Sequence, residues 1–347
     1  MNTFKGSKIL VVGGAGFVGS NLVNLLLLED VAQVYIVDNL ISSEASNIPA
    51  DSRVKFFMGS VADDKTLSLV PRDIDYVFHL ACYHGNQSSI ADPLADHDNN
   101  TITSLKLFEA LRSFSSLRKV VYAAAGCAVA KKTYDGAEAT HEDAPVSLFH
   151  DSPYSISKLV GEMYGNFYFQ RHGMPFVKAR FQNVYGPREI LGAGNWRGTI
   201  HTVWRNVTPT FVWKSLHGEA LPLDNGGNTS RDFIFVEDIA RGLMACALKG
   251  EPGEAYNLAS GVETSILELA KLINKETGNV TPPLIQPARD WDKSGKRFGS
   301  TEKSKRELGF EAKTSLADGI ARTVSWTVQN KELIARTIDR HKFFLKT

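Results

Sequence analysis

Lys8-Ile9-Leu10-Val11-Val12-Gly13-Gly14-Ala15-Gly16-Phe17-Val18-Gly19 passes from an unbroken apolar block into a glycine-rich turn and then into the helix-periodic run Phe17 to Leu28. A buried strand, a tight turn and a helix start in that order form the place where a dinucleotide diphosphate sits. Gly13 permits the turn, Gly16 lets the backbone approach the phosphates, and Gly19 lets the helix pack on the sheet. A second strand, Val34-Tyr35-Ile36-Val37, ends in Asp38, whose carboxylate can accept both ribose hydroxyls of an adenosine. That carboxylate would repel a 2′-phosphate, and Asn39-Leu40 brings no arginine, so NAD is favoured over NADP.

The chain has 347 residues, 43% of them apolar, enough for one large or two smaller cores. Its 39 basic and 38 acidic residues are spread evenly and leave a net charge of +1, so neither nucleic acid nor a membrane surface is indicated as a partner. No run approaches the roughly 18 apolar residues of a membrane span, and the first apolar run is the strand itself rather than a signal peptide, so a cytoplasmic protein is expected. Cys82, Cys127 and Cys246 have neither the spacing of a metal site nor that of a disulfide framework.

Strands are predicted at 8–12, 34–38, 54–57, 75–80, 119–123 and 176–181, and helices at 17–29, 63–69, 99–113 and 154–172. The alternation implies an α/β fold, a Rossmann doubly wound parallel sheet, with a smaller C-terminal substrate-binding lobe. The loops beyond Gly186-Pro187 break the pattern, and a strand and helix from Phe233 to Leu248 suggest a return to the first domain. The expected division is 1–180 plus about 231–262 for the NAD-binding domain, and about 181–230 plus 263–347 for the substrate lobe.

Tyr154-Ser155-Ile156-Ser157-Lys158 heads a helix after Ser152-Pro153, and a spacing of four puts the two outer side chains on one face. A lysine ammonium beside a phenol stabilises the phenolate, and a cationic nicotinamide would lower its pKa further. Tyr154 is then a general base near neutrality, and Lys158 also reaches the nicotinamide ribose.

With these residues the chain resembles the extended short-chain dehydrogenase/reductase family, in particular its NAD-dependent nucleotide-sugar epimerases and dehydratases. The resemblance also includes His79-Leu80-Ala81, Asp98-Asn99-Asn100, Arg180 to Pro187, Arg231 to Asp238 and Arg289-Asp290-Trp291-Asp292. It implies a cofactor set of Gly13, Gly16, Phe17, Val18, Gly19, Asp38, Asn39, Ser60, Val61, Leu80, Ala81, Asn99, Tyr154, Lys158 and Phe181. It further implies that Asn183, Arg231 and Arg289 hold the nucleotide diphosphate, with Asp292 as the acidic partner in the last motif. By the same resemblance, helices 99–113 and 154–172 pair in a four-helix homodimer interface.

Departures from the family pattern bear on the reaction. Ala125 stands where the family has a catalytic Ser or Thr, and a methyl group cannot hydrogen-bond the sugar or the tyrosine. Cys127, His84 or Ser89 are the candidate replacements. Gly126 and Cys127 occupy the positions of the dehydratase acid and base, so elimination of water has no evident catalyst. Cys127 matches the position of the base in the family's 3,5-epimerases, or is a small packed residue. Ser60 replaces an Asp that usually contacts adenine, and Gln182 replaces a Phe of some 4-epimerases. His84, Arg188 and Arg197 add cationic groups near the expected sugar pocket, which suits an acidic sugar, although surface charge explains them equally.

The function expected is C4 inversion of a UDP-linked hexose or modified hexose through a transient 4-keto sugar. The alternatives are 3,5- or 5-epimerisation with Cys127 as base, decarboxylation of a nucleotide-linked uronate, and, in another class, a catalytically weak NAD-binding sensor or scaffold.

Overall fold

Alternate residues of the Lys8–Val12 block point to opposite faces of a strand, and the chain builds an apolar layer on each. The computed structural model describes residues 3–129, 136–290 and 295–346. In it β1 (Lys8–Val12) leads through the glycine turn into α1 (Phe17–Leu26), β2 (Gln33–Asp38), β3 (Val54–Met58), α2 (Asp64–Ser68) and β4 (Tyr76–His79). Two short helices, α3 (Asn86–Ala91) and α4 (Pro93–Asp96), and a π-helical turn at His97–Ile102 precede α5 (Thr103–Leu111) and β5 (Lys119–Ala125). Next come β6 (Ala139–Thr140), α6 (Pro153–His172), β7 (Phe176–Phe181) and β8 (Asn183–Tyr185). Then α7 (Val207–Leu216), β9 (Pro222–Asp224), β10 (Ser230–Phe235), α8 (Val236–Lys249), β11 (Ala255–Leu258) and β12 (Glu263–Ser265) follow. The chain finishes with α9 (Ile266–Thr277), β13 (Leu284–Gln286), β14 (Phe298–Gly299), α10 (Leu316–Gln329) and α11 (Lys331–Asp339).

The large sheet is parallel and ordered β11-β7-β5-β4-β1-β2-β3. On one face Ile9, Val11, Ile36, Phe78, Val121 and Val177 pack with Leu22 and Leu26 of α1 and Ile239 and Leu243 of α8. On the other, Leu10, Val12, Val37, Val120 and Tyr122 pack with Phe108 of α5 and Tyr168 of α6. Burying one such aliphatic or aromatic side chain contributes about 1.5–3 kcal/mol, and the two layers together drive closure of the sheet. Within the segment 231–262, α8 and β11 join this body, whereas β10 pairs with β8 and β12 in a separate three-stranded sheet.

Helix α6 starts where Ser152 Oγ accepts from the Ser155 amide and Pro153 opens the first turn, and it stops at Gly173 in the left-handed region (φ 67°). Gly161 and Gly165 bring it unusually close to the sheet. A Cβ on the first would stand 2.1 Å from the Tyr122 hydroxyl, and on the second 1.9 Å from the Phe176 ring. Arg180 on β7 and Glu162 on α6 form a buried, two-pronged ion pair at 2.9 and 2.8 Å, with Arg180 Nη1 donating to the Glu142 carbonyl at 2.6 Å.

Candidate active site

A cleft of about 710 Å³ opens at the carboxyl ends of the parallel strands, where open α/β sheets bind ligands. Gly13 turns the chain at φ 85°, and a Cβ there would meet the Ala81 amide nitrogen at 2.5 Å. A Cβ on Gly19 would lie 2.1 Å from the Gly13 carbonyl oxygen, so this glycine lets α1 pack on the turn itself rather than on the sheet. Gly16 caps α1 without a side-chain hydrogen bond, and no acidic residue occupies the first turn, which leaves the helix N-terminus suited to phosphate.

Asp38 closes this end. Its carboxylate accepts from the Ala15 amide (3.0 Å), the Leu40 amide (2.9 Å) and the Ser43 hydroxyl (2.9 Å). These bonds fix the orientation of the carboxylate and take up part of its accepting capacity. Burial raises its pKa against the pull of these bonds. Phe17, Val18, Asn39, Ser60, Val61, Leu80, Ala81, Asn99 and Phe181 line the same cleft. The donors, the uncapped helix and the close-packed turn fit NAD.

Tyr154 and Lys158 face the cleft from the first turns of α6. Lys158 Nζ donates to the Ala123 carbonyl at 2.9 Å and lies 6.0 Å from the centre of the Tyr154 ring. Burial, followed by the nearby Cys82 and Cys127 thiols, holds the Tyr154 pKa well above the ordinary phenol value. The chain's own groups therefore keep the phenol protonated, and the lysine alone does not make it a base near neutrality.

Ala125 and Cys127 border the same space, and His84 stacks edge-on to Tyr154 with ring centres 5.6 Å apart. Burial, then the charges of Arg205, Arg197 and Lys158, bring the His84 pKa down to about 3. His84 is a neutral donor and acceptor rather than the cation expected.

Ser89 is not in the cleft. It is fully buried, its hydroxyl donates to the Asn86 carbonyl at 2.7 Å and accepts from the Tyr154 amide at 3.2 Å, and so it positions the tyrosine's backbone. Two other expected placements also change. Arg188 reaches the loop after β2, donating to the Asn47 carbonyl at 3.1 Å, and Arg197 lies behind the His84 loop, donating to the His84 carbonyl at 3.1 Å.

Asn183, Arg231 and Arg289 line the same cleft, as do Phe211 and Asp224. Arg231 donates to the Ser230 and Gly295 carbonyls at 2.7 Å, and Arg289 pairs with Asp224 at 2.5 Å. Asp292 lies outside the described residues. The profile of the NAD dependent epimerase/dehydratase family matches residues 9–259. The chain belongs to this family.

Solved structures of the family superimpose closely. WbmF of Bordetella bronchiseptica, in complex with NAD+ and UDP, is 56% identical, with 98% of this chain and 97% of that one covered at a TM-score of 0.88. The UDP-glucose 4-epimerase of Thermotoga maritima, with UDP-glucose, is 30% identical over 93% of this chain and 99% of its own at 0.82. Among curated proteins, the UDP-glucose 4-epimerase of Mycolicibacterium smegmatis is 31% identical over 92% of this chain and 98% of its own. Membership makes the chain an NAD-dependent enzyme of the nucleotide-sugar epimerase/dehydratase type, not a sensor. No helix among the described residues is long and apolar enough to cross a membrane, and no cluster of potential metal ligands occurs among them.

The family motifs do not reveal everything in the cleft. Ser42, Glu189, Trp204 and Arg205 also line it. Glu189 Oε1 accepts from Asn206 Nδ2, its Oε2 is buried without a partner among the described residues, and burial lifts its pKa to about 7. Ser42 comes from the loop after β2, and Glu189, Trp204 and Arg205 come from the loop-rich stretch beyond Gly186, where the sequence carries no periodicity to place them.

Proposed function

We propose that the enzyme epimerises a UDP-linked hexose or modified hexose at C4, through a transient 4-keto sugar. The observation that carries this reading is one continuous cleft lined by the glycine turn, by Tyr154 with Lys158, and by Arg231 with Arg289. The UDP and UDP-glucose bound to the WbmF and Thermotoga maritima relatives support uridine as the nucleotide.

Tyr154 takes the proton of the 4-hydroxyl, and the charge of Lys158, 6.0 Å from the ring centre, stabilises the phenolate. NAD, when bound, supplies the hydride acceptor and a positive ring that draws the phenol pKa down. Neutral His84, in edge contact with the phenol, takes the hydrogen-bonding place that Ala125 cannot fill. Arg231 and Arg289 anchor the diphosphate while the sugar turns to present its other face.

Cys127 on the cleft wall supports a second reading, in which it removes a proton at C3 or C5 of the 4-keto sugar. The isotope separates the two. In C4 inversion the migrating hydrogen never meets water, so product formed in D₂O carries no carbon-bound deuterium, and Cys127→Ala loses rate only modestly. Deuterium at C3 or C5 together with an inactive Cys127→Ala would replace C4 inversion with the thiol-based route.

We also propose a homodimer through α5 and α6. Ile156, Met163 and Phe167 are 49%, 55% and 52% exposed and, at spacings of seven and four, share one face of α6. An apolar stripe of this kind on a helix marks a partner surface. Light scattering should give twice the 38.2 kDa chain mass, falling to the single mass in Met163→Glu/Phe167→Glu. A parent already monomeric at micromolar concentration would remove this interface.

A further inference from the structure

The sheet order places β1 between β2 and β4, so the glycine turn after β1 lies between the loop that follows β2 and the loop that follows β4. Residues 188–206 are fastened to both. On the β2 side, Arg188 Nη1 donates to the Asn47 carbonyl and the Asn195 amide to the Ile41 carbonyl, each at 3.1 Å. The Gly194 amide donates to Glu44 at 3.1 Å, and Glu44 is gripped in turn by Arg340 at 2.7 Å. On the β4 side, Arg197 Nη1 donates to the His84 carbonyl at 3.1 Å. A segment tied down on both flanks of the turn spans it as a strap.

Two guanidinium groups on this strap face the cleft. Arg188 sits at φ 73°, a conformation a side chain keeps only where its surroundings impose it. Those surroundings are the cofactor turn itself: Asn47 Nδ2 donates to the Ala15 carbonyl at 3.3 Å and to the Arg188 carbonyl at 3.5 Å, and Asn21 of α1 donates to the Pro187 carbonyl at 3.0 Å. Among the described residues Arg188 makes no ion pair with an acidic side chain, and burial lowers its pKa. Arg205 reaches the Ser42 carbonyl of the loop after β2 at 3.5 Å and has Cys82, two residues before His84, as an electrostatic neighbour. Glu189 lies near it, but no ion pair closes between them. A cation such as Arg188, withdrawn from water without a counter-charge, is costly unless an anion joins it.

We propose that Arg188 and Arg205 form a second cofactor-diphosphate site, carried on the strap and facing the glycine turn, so that NAD is clasped from both sides and exchanges slowly. The proposal rests on the family's NAD dependence and not on the choice of C4, so its test needs no turnover. The experiment uses the protein with the dinucleotide it carries on purification. Its exchange against nicotinamide ethenoadenine dinucleotide is followed by fluorescence, and ADP-ribose, adenosine and UDP affinities are measured alongside. Arg188→Asn, whose side chain tolerates the left-handed backbone, and Arg205→Gln should each speed exchange and weaken ADP-ribose by about 10–100-fold, the loss of a charge-assisted hydrogen bond. Adenosine and UDP affinities should stay within about two-fold, and Arg188→Lys should recover part of the loss. Unchanged exchange in both variants would overturn the proposal. So would adenosine weakening as much as ADP-ribose, which would make the arginines props of the fold, or UDP weakening instead, which would assign them to the substrate.

Discussion

Tyr154→Phe is expected to abolish turnover while the bound NAD is retained. The phenol oxygen is the one group in the described cleft that combines a position on α6 with a cation on the next turn, Lys158, able to stabilise its charged form. Loss of a single general base costs about 10²–10⁴-fold. His84 is a poor substitute base in the variant, because burial and three neighbouring cations disfavour the protonated ring it would become. Because burial raises the phenol pKa, the parent should also gain activity as pH rises. Activity of the variant within a few-fold of the parent, with product formed, would mean that another group takes the hydroxyl proton.

Glu162→Gln should be the most destabilising polar change outside the cleft. The pair it breaks is buried, with side chains 8% and 6% exposed, and Arg180 would be left charged with only the Glu142 carbonyl as partner. Leaving one member of a buried pair uncompensated costs about 3–5 kcal/mol. In a chain of this size that corresponds to a fall of roughly 4–7 °C in Tm, read by calorimetry on protein saturated with NAD. The double change Glu162→Gln/Arg180→Met removes the stranded charge and should be milder than the single one. A Tm within about 1 °C of the parent for Glu162→Gln would show that water or a backbone carbonyl already satisfies the guanidinium.

The parallel sheet is legible in the sequence because its strands are buried on both faces. Val34 to Val37, and Val120 with Val121, need no partner to identify them as interior, whereas β10 reads identically yet pairs with β8, a choice made by contacts no local pattern encodes. Tyr154 and Lys158 are legible because helical spacing and a Ser-Pro start fix their common face. Ser89 misleads in sequence because a hydroxyl looks available until the Asn86 carbonyl and the Tyr154 amide are seen to occupy it. Charge alone assigns Arg188 to the sugar, while its place depends on Asn47, 141 residues away. The strap has the same origin, since its anchor between Arg340 and Glu44 joins residues 296 apart in the chain.

The close approach of α6 to the sheet has a consequence for how this enzyme can vary. One side of the helix is held by Gly161 and Gly165 against Tyr122 and Phe176, its first turns hold the Tyr154 phenol and the Lys158 ammonium in the cleft, and its outward side carries Ile156, Met163 and Phe167. The helix has no neutral side. A substitution that lifts it from the sheet moves Tyr154 along with the outward apolar stripe, because one rigid rod of 20 residues carries both. Adaptation to a new sugar is therefore channelled away from α6 and into the loops that face it, where a side chain can change without tilting the rod.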